Sequence, residues 1–415
     1  MNKSVIKSII LKNQERLQEL AVVGREYHLE KNANYVIIGP RRAGKTYLLY
    51  QLIQKQYAGK KIEKVLYINF EDERLIDLES KNLNIILESY AELFDQKPDL
   101  FFDEIQNIDN WEKFARRLAD EGYKIFITGS NSKMLSKEIA STLGGRFIIK
   151  EIYPLSFKEY LKFNELTLKK NYEFSNQLVK VKSHFEDYFR YGGFPEVIKF
   201  EDKRTYLSNL FQKLFYGDII SRYSVKNEKG LLLITKKMAE SVNNETSVNR
   251  IKNLIKSIGI PVGVSTIFDY LRYLDESFLI LPVVNIINKF VERETKKKYY
   301  FIDNGILNLF LFDQDTKLLE NLVYLELKRR YKEIYYHKRN EETDFYLPEA
   351  DLLIQVSYDI EDIETEKREV KALLKSKKEL SAKNSLIITY DTEKQITHKE
   401  IEIPAIPIWK WLLDE

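Results

Sequence analysis

The chain has 415 residues, 44% hydrophobic and 31% charged, with 66 Lys and Arg against 63 Asp and Glu. A net charge of +3 excludes a histone-like polycation but leaves room for a local basic patch. The absence of cysteine excludes disulfides, thiol nucleophiles and Cys-ligated metal centres, and four dispersed histidines (28, 184, 337 and 398) argue against a His-rich metal site. At roughly 150 residues per domain, the length fits two or three domains. Charges are too frequent in the first eighteen residues for a secretory signal, and no apolar run reaches membrane-spanning length. A cytoplasmic chain with no membrane partner is the expectation.

Residues 1–30 read as helix, because Val5, Ile9, Leu17 and Leu20 recur at helical spacing among polar residues. A buried-strand run, Tyr35–Ile38, meets a Gly-containing loop and then a helix with apolar residues at 48, 49, 52 and 53. Further strands are expected at Lys64–Asp72, Asp99–Ile105, Tyr123–Asn131 and Arg146–Ile152, with helical patterns between them, notably Trp111–Glu121. This alternation predicts an α/β core over residues 1–154, a parallel sheet with helices on both faces. Residues 155–228 read as a helical lid or linker rich in Phe and Tyr, punctuated by YGGFPEV at Tyr191–Val197. Residues 229–310 carry three helical stretches (229–242, 247–257 and 264–276) and then two strand-like runs, LILPVVNII and KKYYFID. That is the order of a winged helix-turn-helix. Residues 311–415 open on a helix (Glu320–Tyr331) and continue with EIYYHKR, TDFYLPE, ADLLIQVSYD and, after a helix, SLIITYD. They read as a smaller α/β domain.

The loop Gly39-Pro40-Arg41-Arg42-Ala43-Gly44-Lys45-Thr46 fits G-x-x-x-x-G-K-[ST] at every required position, and it follows a strand and opens a helix. Glycines at both ends let successive backbone N–H groups turn toward phosphate oxygens. Lys45 is placed to reach the β- and γ-phosphates and Thr46 to ligate Mg²⁺, with the helix N-terminus beyond them favouring anions. The candidate binding stretch is therefore Gly39 to Tyr47, and the expected cofactors are ATP and Mg²⁺. Arg41 and Arg42 are not demanded by the motif; contact with phosphate, with a neighbouring subunit or with solvent all stay open.

A second acidic element follows where a parallel sheet would present it. The strand Leu100–Phe102 delivers Asp103 and Glu104 to its carboxyl end, where ligands bind in open α/β sheets. Asp103 is the candidate metal ligand, directly or through water, and Glu104 the candidate that polarises the attacking water. Strand four ends in Thr128-Gly129-Ser130-Asn131, whose polar side chains could touch the γ-phosphate or are ordinary turn residues. Arg146, after Leu143-Gly144-Gly145, is a candidate for charge stabilisation across a subunit interface or a plain surface arginine.

Taken together, GPRRAGKT, FFDEIQ, ITGSNSKML, STLGGR, YPLSFKEYL and YGGFPEV resemble the prokaryotic AAA-type ATPases near the origin-recognition and STAND branch. The downstream DIISRY, YFIDNGILN and ENLVYLEL resemble the C-terminal region such ATPases carry, so the likeness spans nearly the whole chain. It implies ATP binding and hydrolysis. It also implies that Asn131 or Ser130 is similar to sensor 1 and that Arg146 sits where an arginine finger would, which makes a homo-oligomer an open partner state.

The candidate recognition helix, Ser265–Glu276, sets Asp269, Asp275 and Glu276 against one Arg272, a poor charge for a DNA groove. The wing is more basic, with Arg293, Lys296, Lys297 and Lys298 together, so weak non-specific DNA contact or a protein partner is expected. Residues 311–415 resemble the restriction-endonuclease-like fold, with Glu320 matching its helix acid and Asp344 its strand Asp. Gln355 and Ser357 stand where the resemblance requires an acid and a lysine, so a fold retained without cleavage is implied; Lys338 and Lys367 are the nearest basic substitutes in sequence. Three functions follow in order of preference: an ATPase that drives its C-terminal modules, a nucleotide-gated binding regulator with little turnover, and a nuclease.

Overall fold

Five short runs of consecutively apolar residues become strands: β1 (Asn34–Ile38), β2 (Val65–Asn69), β3 (Asp99–Asp103), β4 (Ile125–Gly129) and β5 (Phe147–Glu151). They form one parallel sheet in the order β2-β3-β4-β1-β5. This computed structural model describes all residues of 1–415 except 1, 31, 58, 131–133, 135, 136, 400 and 415. Every residue of β3 and β4 is buried, as strands covered on both faces must be. On one face, Leu17 of the helix Lys3–Glu19 and Leu48, Leu49 and Ile53 of the helix Lys45–Tyr57 pack with Tyr35, Ile37, Phe101 and Phe126. On the other, Phe102 meets Phe114 of the helix Trp111–Asp120. The first helix stops at Glu19 rather than running to residue 30; residues 20–30 have no regular structure. The chain leaves β1, in the middle of the sheet, and returns at β2 on its edge, so the carboxyl ends of β1, β3 and β4 open onto one crevice.

The chain divides into two units, Met1–Tyr153 and Pro154–Glu415. The second begins with helices Phe157–Phe163, Gln177–Tyr191 and Lys203–Gln212, followed by a π-helical stretch, Lys213–Ser221. The first of these is set by a reciprocal cap in which Ser156 Oγ accepts from the Glu159 N–H and Glu159 accepts from the Ser156 N–H. Helices Glu228–Glu240, Val248–Ser257 and Val264–Glu276 come next, with the short β6 (Thr246–Ser247) and the hairpin β7 (Ile280–Asn285) and β8 (Lys296–Phe301). The helix Asp315–Arg330 leads into β9 (Tyr335–Lys338), β10 (Glu342–Leu347) and β11 (Leu352–Ser357). After the helix Ile363–Leu380 come β12 (Asn384–Thr389), β13 (Lys394–His398) and β14 (Ile401–Pro407).

The hairpin does not stand apart from the strands that follow it. All nine form one sheet in the order β13-β14-β12-β11-β10-β9-β7-β8-β6, joined by parallel pairing of Val284 and Asn285 in β7 with Tyr335 and Tyr336 in β9. The Asn285 side chain reinforces that seam, donating to Lys338 O at 2.8 Å and accepting from the Lys338 N–H at 3.3 Å.

The motifs YGGFPEV and YFIDNGILN form a clamp within this unit. Buried Asp303 accepts backbone N–H bonds from Gly193 at 2.7 Å, Gly305 at 2.8 Å and Ile306 at 3.3 Å. Asn304 donates to Phe189 O and Leu318 O, and Asn321 donates to Phe301 O and Asn304 Oδ1. Their polar residues satisfy the backbone where helices and sheet meet.

Candidate functional site

The phosphate loop occupies the turn between β1 and the helix Lys45–Tyr57. Gly39 is obligatory by contact: a Cβ there would lie 2.1 Å from Ile152 O. Gly44 takes φ +94°, a left-handed conformation that favours glycine, and Arg42 also lies at positive φ. The turn is braced from outside by buried Arg25, which donates to Ala43 O at 2.6 Å and to Tyr153 O at 2.9 Å. Lys45 is buried, its ammonium donating to Gly39 O at 3.2 Å and Pro40 O at 3.0 Å. Arg41 pairs with Glu71 at 3.0 Å, and Tyr47 is half exposed, edge-to-face with Tyr50.

The acids at the end of β3 meet this loop. The Thr46 hydroxyl donates to Asp103 Oδ2 at 2.8 Å, the Tyr67 hydroxyl donates to the same oxygen at 2.9 Å, and the Thr128 hydroxyl donates to Asp103 Oδ1. Burial, with the Glu104 carboxylate beside it, pushes Asp103 above the usual carboxylate range, although these three hydroxyls pull it back. Glu104 follows in a left-handed turn, φ 52°, its N–H donating to Thr128 Oγ1 at 3.0 Å. Its Oε1 lies 3.5 Å from Lys45 Nζ, and its Oε2 accepts from Gln106 Nε2 at 2.5 Å. Burial opposes its ionisation, but Lys45, Gln106, Ser130 and Arg41 together hold it below the usual glutamate value.

Among the sequence candidates, Gly39 to Thr46, Asp103, Glu104 and Ser130 thus converge on the carboxyl edge of the sheet. Asn131 lies outside the described residues. Arg146 is elsewhere, on the turn before β5, donating to Asp120 and to Gly144 O at 3.2 Å. Sequence reasoning missed four supports. Gln106 lay within the quoted FFDEIQ run, and Thr128 at the end of the predicted strand. Arg25 and Tyr67 carried no local signal, since their partners are fixed only by the fold.

A second cluster lies in the nine-stranded sheet. Glu320, from the helix Asp315–Arg330, and Asp344, from β10, are brought together as expected, but the cation between them is Lys298. That corrects the reading of Lys298 as an exposed wing cation: its side chain is 0% exposed. Register explains it, because every second residue of β8 faces inward, so Lys298 points with Tyr300 toward the core. Gln355 turns its amide to Glu369 at 2.8 Å, and Ser357 donates to Asp359 O. Lys338 pairs with Glu342 and Lys367 with Glu364.

The remaining cations of the hairpin are largely satisfied. Lys296 lies 3.5 Å from Glu292 and Lys297 3.4 Å from Glu294, while Arg293 donates to Asn288 O and Ile286 O. On the helix Val264–Glu276, Arg272 pairs with both Asp269 and Glu276. No helix among the described residues is long and apolar enough to cross a membrane.

A family model described as an AAA domain matches residues 31–161, and one described as a domain of unknown function matches residues 182–317. The uncharacterized protein MJ1544 of Methanocaldococcus jannaschii is 39% identical over 430 residues, covering 99% of this chain and 96% of that protein. An uncharacterized protein of Haemophilus influenzae is 32% identical over 361 residues, covering 82% and 88% respectively. Among solved structures, the Walker-type ATPase PABY2304 of Pyrococcus abyssi aligns at a TM-score of 0.36 and 14% identity, covering 73% of this chain and 94% of that one. The Orc1 protein of Aeropyrum pernix in complex with DNA aligns at 0.33 and 12%, covering 79% and 94%. The chain belongs to the family of MJ1544 and its Haemophilus influenzae relative, and its N-terminal unit is an AAA-type P-loop ATPase domain.

Proposed function

We propose that this protein is a Mg²⁺-dependent AAA-type ATPase of the branch near the origin-recognition and STAND ATPases. In this reading it couples nucleotide state to a winged helix (229–310) and a catalytically silent nuclease-like domain (311–415). The observation that carries the reading is the 2.8 Å contact between Thr46 and Asp103, with Glu104 and Lys45 alongside. That pairing puts a hydroxyl and a carboxylate at one point beside a phosphate-binding turn, a hard-oxygen donor set suited to Mg²⁺. The ion, when bound with ATP, neutralises charge on the β- and γ-phosphates. Lys45 leaves its loop carbonyls to meet phosphate, and the backbone N–H groups of residues 39–46 bind the rest. Glu104, ionised beside Lys45, orients water and takes its proton as the γ-phosphate is attacked. Asn131 or Ser130 would report the γ-phosphate, and Arg146 would act on a neighbouring subunit.

One measurement set tests this. Lys45→Ala should weaken ATP binding about 10- to 100-fold, the worth of a charge-assisted phosphate contact. Glu104→Gln should still bind but turn over at least about 100-fold more slowly. Near wild-type turnover in Glu104→Gln would remove it from the base role.

A second reading, a nucleotide-gated DNA- or protein-binding regulator with little turnover, is favoured by the double restraint on Glu104. Lys45 faces one of its oxygens and Gln106 holds the other. Under that reading Gln106→Ala frees the carboxylate and raises basal turnover several-fold; under the first, turnover is brisk already and the substitution leaves it level or lowers it.

A further inference from the structure

Three carboxylates converge on Lys298 in the second unit, and nothing in the ATPase reading uses them. The Lys298 ammonium lies 2.7 Å from Glu342 Oε1, 3.1 Å from Glu320 Oε1 and 3.4 Å from Asp344 Oδ1. Each acid is oriented by a second partner. The Tyr300 hydroxyl donates to Glu320 Oε1 at 2.7 Å, the Val356 N–H donates to Asp344 Oδ2 at 2.9 Å, and Lys338 meets Glu342 Oε2 at 2.6 Å.

Acids converge in a buried place only when a cation sits among them, because unneutralised carboxylates repel one another and lose their hydration. Burial works against the Lys298 charge, but Glu320, Asp344 and Glu342 outweigh it and hold the amine protonated well above the ordinary lysine value. Among the described residues, no group of three acids or imidazoles is already arranged to hold a metal ion. The ammonium therefore does for this cluster what a hard divalent cation does for an oxygen cage.

We propose that Lys298 is a tethered substitute for a divalent cation: the Glu320–Glu342–Asp344 cluster is a cation site filled from within the chain, and removing the lysine opens it to Mg²⁺ or Mn²⁺. The ammonium balances charge without Lewis acidity and brings no activated water, so the same group that completes the site silences it. It also pins β8 to the helix Asp315–Arg330 and to β10. The inference rests on these distances and stands or falls separately from the ATPase reading, which concerns the other unit.

The test uses the full chain without nucleotide: wild type, Lys298→Ala and Lys298→Ser, each with and without Asp344→Asn. Bound Mn²⁺ is counted from the electron paramagnetic resonance of the free ion, and melting is followed with and without Mn²⁺. We expect Lys298→Ala to bind about one more Mn²⁺ per chain than wild type and to melt several degrees higher when the ion is present, both effects vanishing with Asp344→Asn. If Lys298→Ala or Lys298→Ser is unfolded in chelator, recovery of native circular dichroism in millimolar Mn²⁺ carries the same meaning. Folded variants that take up no further Mn²⁺, or unfolded ones that the ion does not recover, overturn the proposal. Mn²⁺ binding by wild type that Asp344→Asn removes also overturns it, since lysine and metal would then coexist.

Discussion

Glu104 is held in a left-handed turn, a conformation that costs a residue with a side chain of order 1 kcal/mol or more. Its neighbours supply the restraint: the N–H is taken by Thr128 and the carboxylate by Lys45 and Gln106. Asp303 presents the opposite situation, a carboxyl whose burial, against three N–H donors, raises it from 3.8 to about 6. A carboxyl with a raised folded pKa binds its proton more tightly in the folded state. Stability is therefore intact below about pH 4 and falls as pH rises through the window to about 6. The shift corresponds to roughly 3 kcal/mol at 1.36 kcal/mol per unit. In urea unfolding of the second unit, Asp303→Asn should lose this dependence, so that its stability relative to wild type improves steadily from pH 4 to 6 and is level above 7. A wild-type profile unchanged by the substitution would place the titration elsewhere. Much of the phosphate site was legible because its residues are neighbours in the chain. Arg25, eighteen positions before Ala43, was not: an arginine among polar residues gives no sign of the carbonyl it will brace. Lys298 misled for a related reason. A run of three lysines reads as solvent-facing, yet strand alternation sends the last one inward.

At the level of elements, the apolar runs identified all five strands of the first sheet and most of the second. β13 and β14 escaped. In β13 only Ile396 is buried, and β14 carries prolines at 404 and 407, which argue against a strand except near an edge. The hairpin β7–β8 and the helix Val264–Glu276 bear on DNA binding. With Lys298 buried and Arg272 neutralised by Asp269 and Glu276, the free basic character falls to Lys296 and Lys297, both only loosely paired. Any DNA binding should then be sequence-independent and lost steeply with salt, and Lys296→Gln/Lys297→Gln should weaken it several-fold while lowering the salt slope by about two. Fluorescence anisotropy on a mixed-sequence duplex at several salt concentrations checks this; tight binding that survives the double change would return the helix to consideration.

For the molecule as a whole, two outcomes follow from the proposed roles. If Arg146 serves a neighbouring subunit, mixing Glu104→Gln chains with Arg146→Ala chains should restore turnover that neither has alone, and wild-type turnover per chain should rise with concentration. Restoration should fail if Arg146 does no more than pair with Asp120. The second concerns the nuclease-like sheet: plasmid, linear and single-stranded DNA incubated with Mg²⁺ or Mn²⁺ should stay intact. Cleavage that Asp344→Ala abolishes would make this sheet an effector under ATPase control.

The seam between β7 and β9 has a practical consequence for anyone dividing the molecule. A chain ended after residue 310 would keep the three helices and the hairpin but strip β9 from β7, baring a row of unpaired N–H and C=O groups. The same cut would remove Glu320, Glu342 and Asp344 and leave Lys298 as a lone charge in an apolar surround. Such a fragment should precipitate or pair edge to edge with its own copies, and a loss of binding measured on it would report the raw edge, not the function of the part removed.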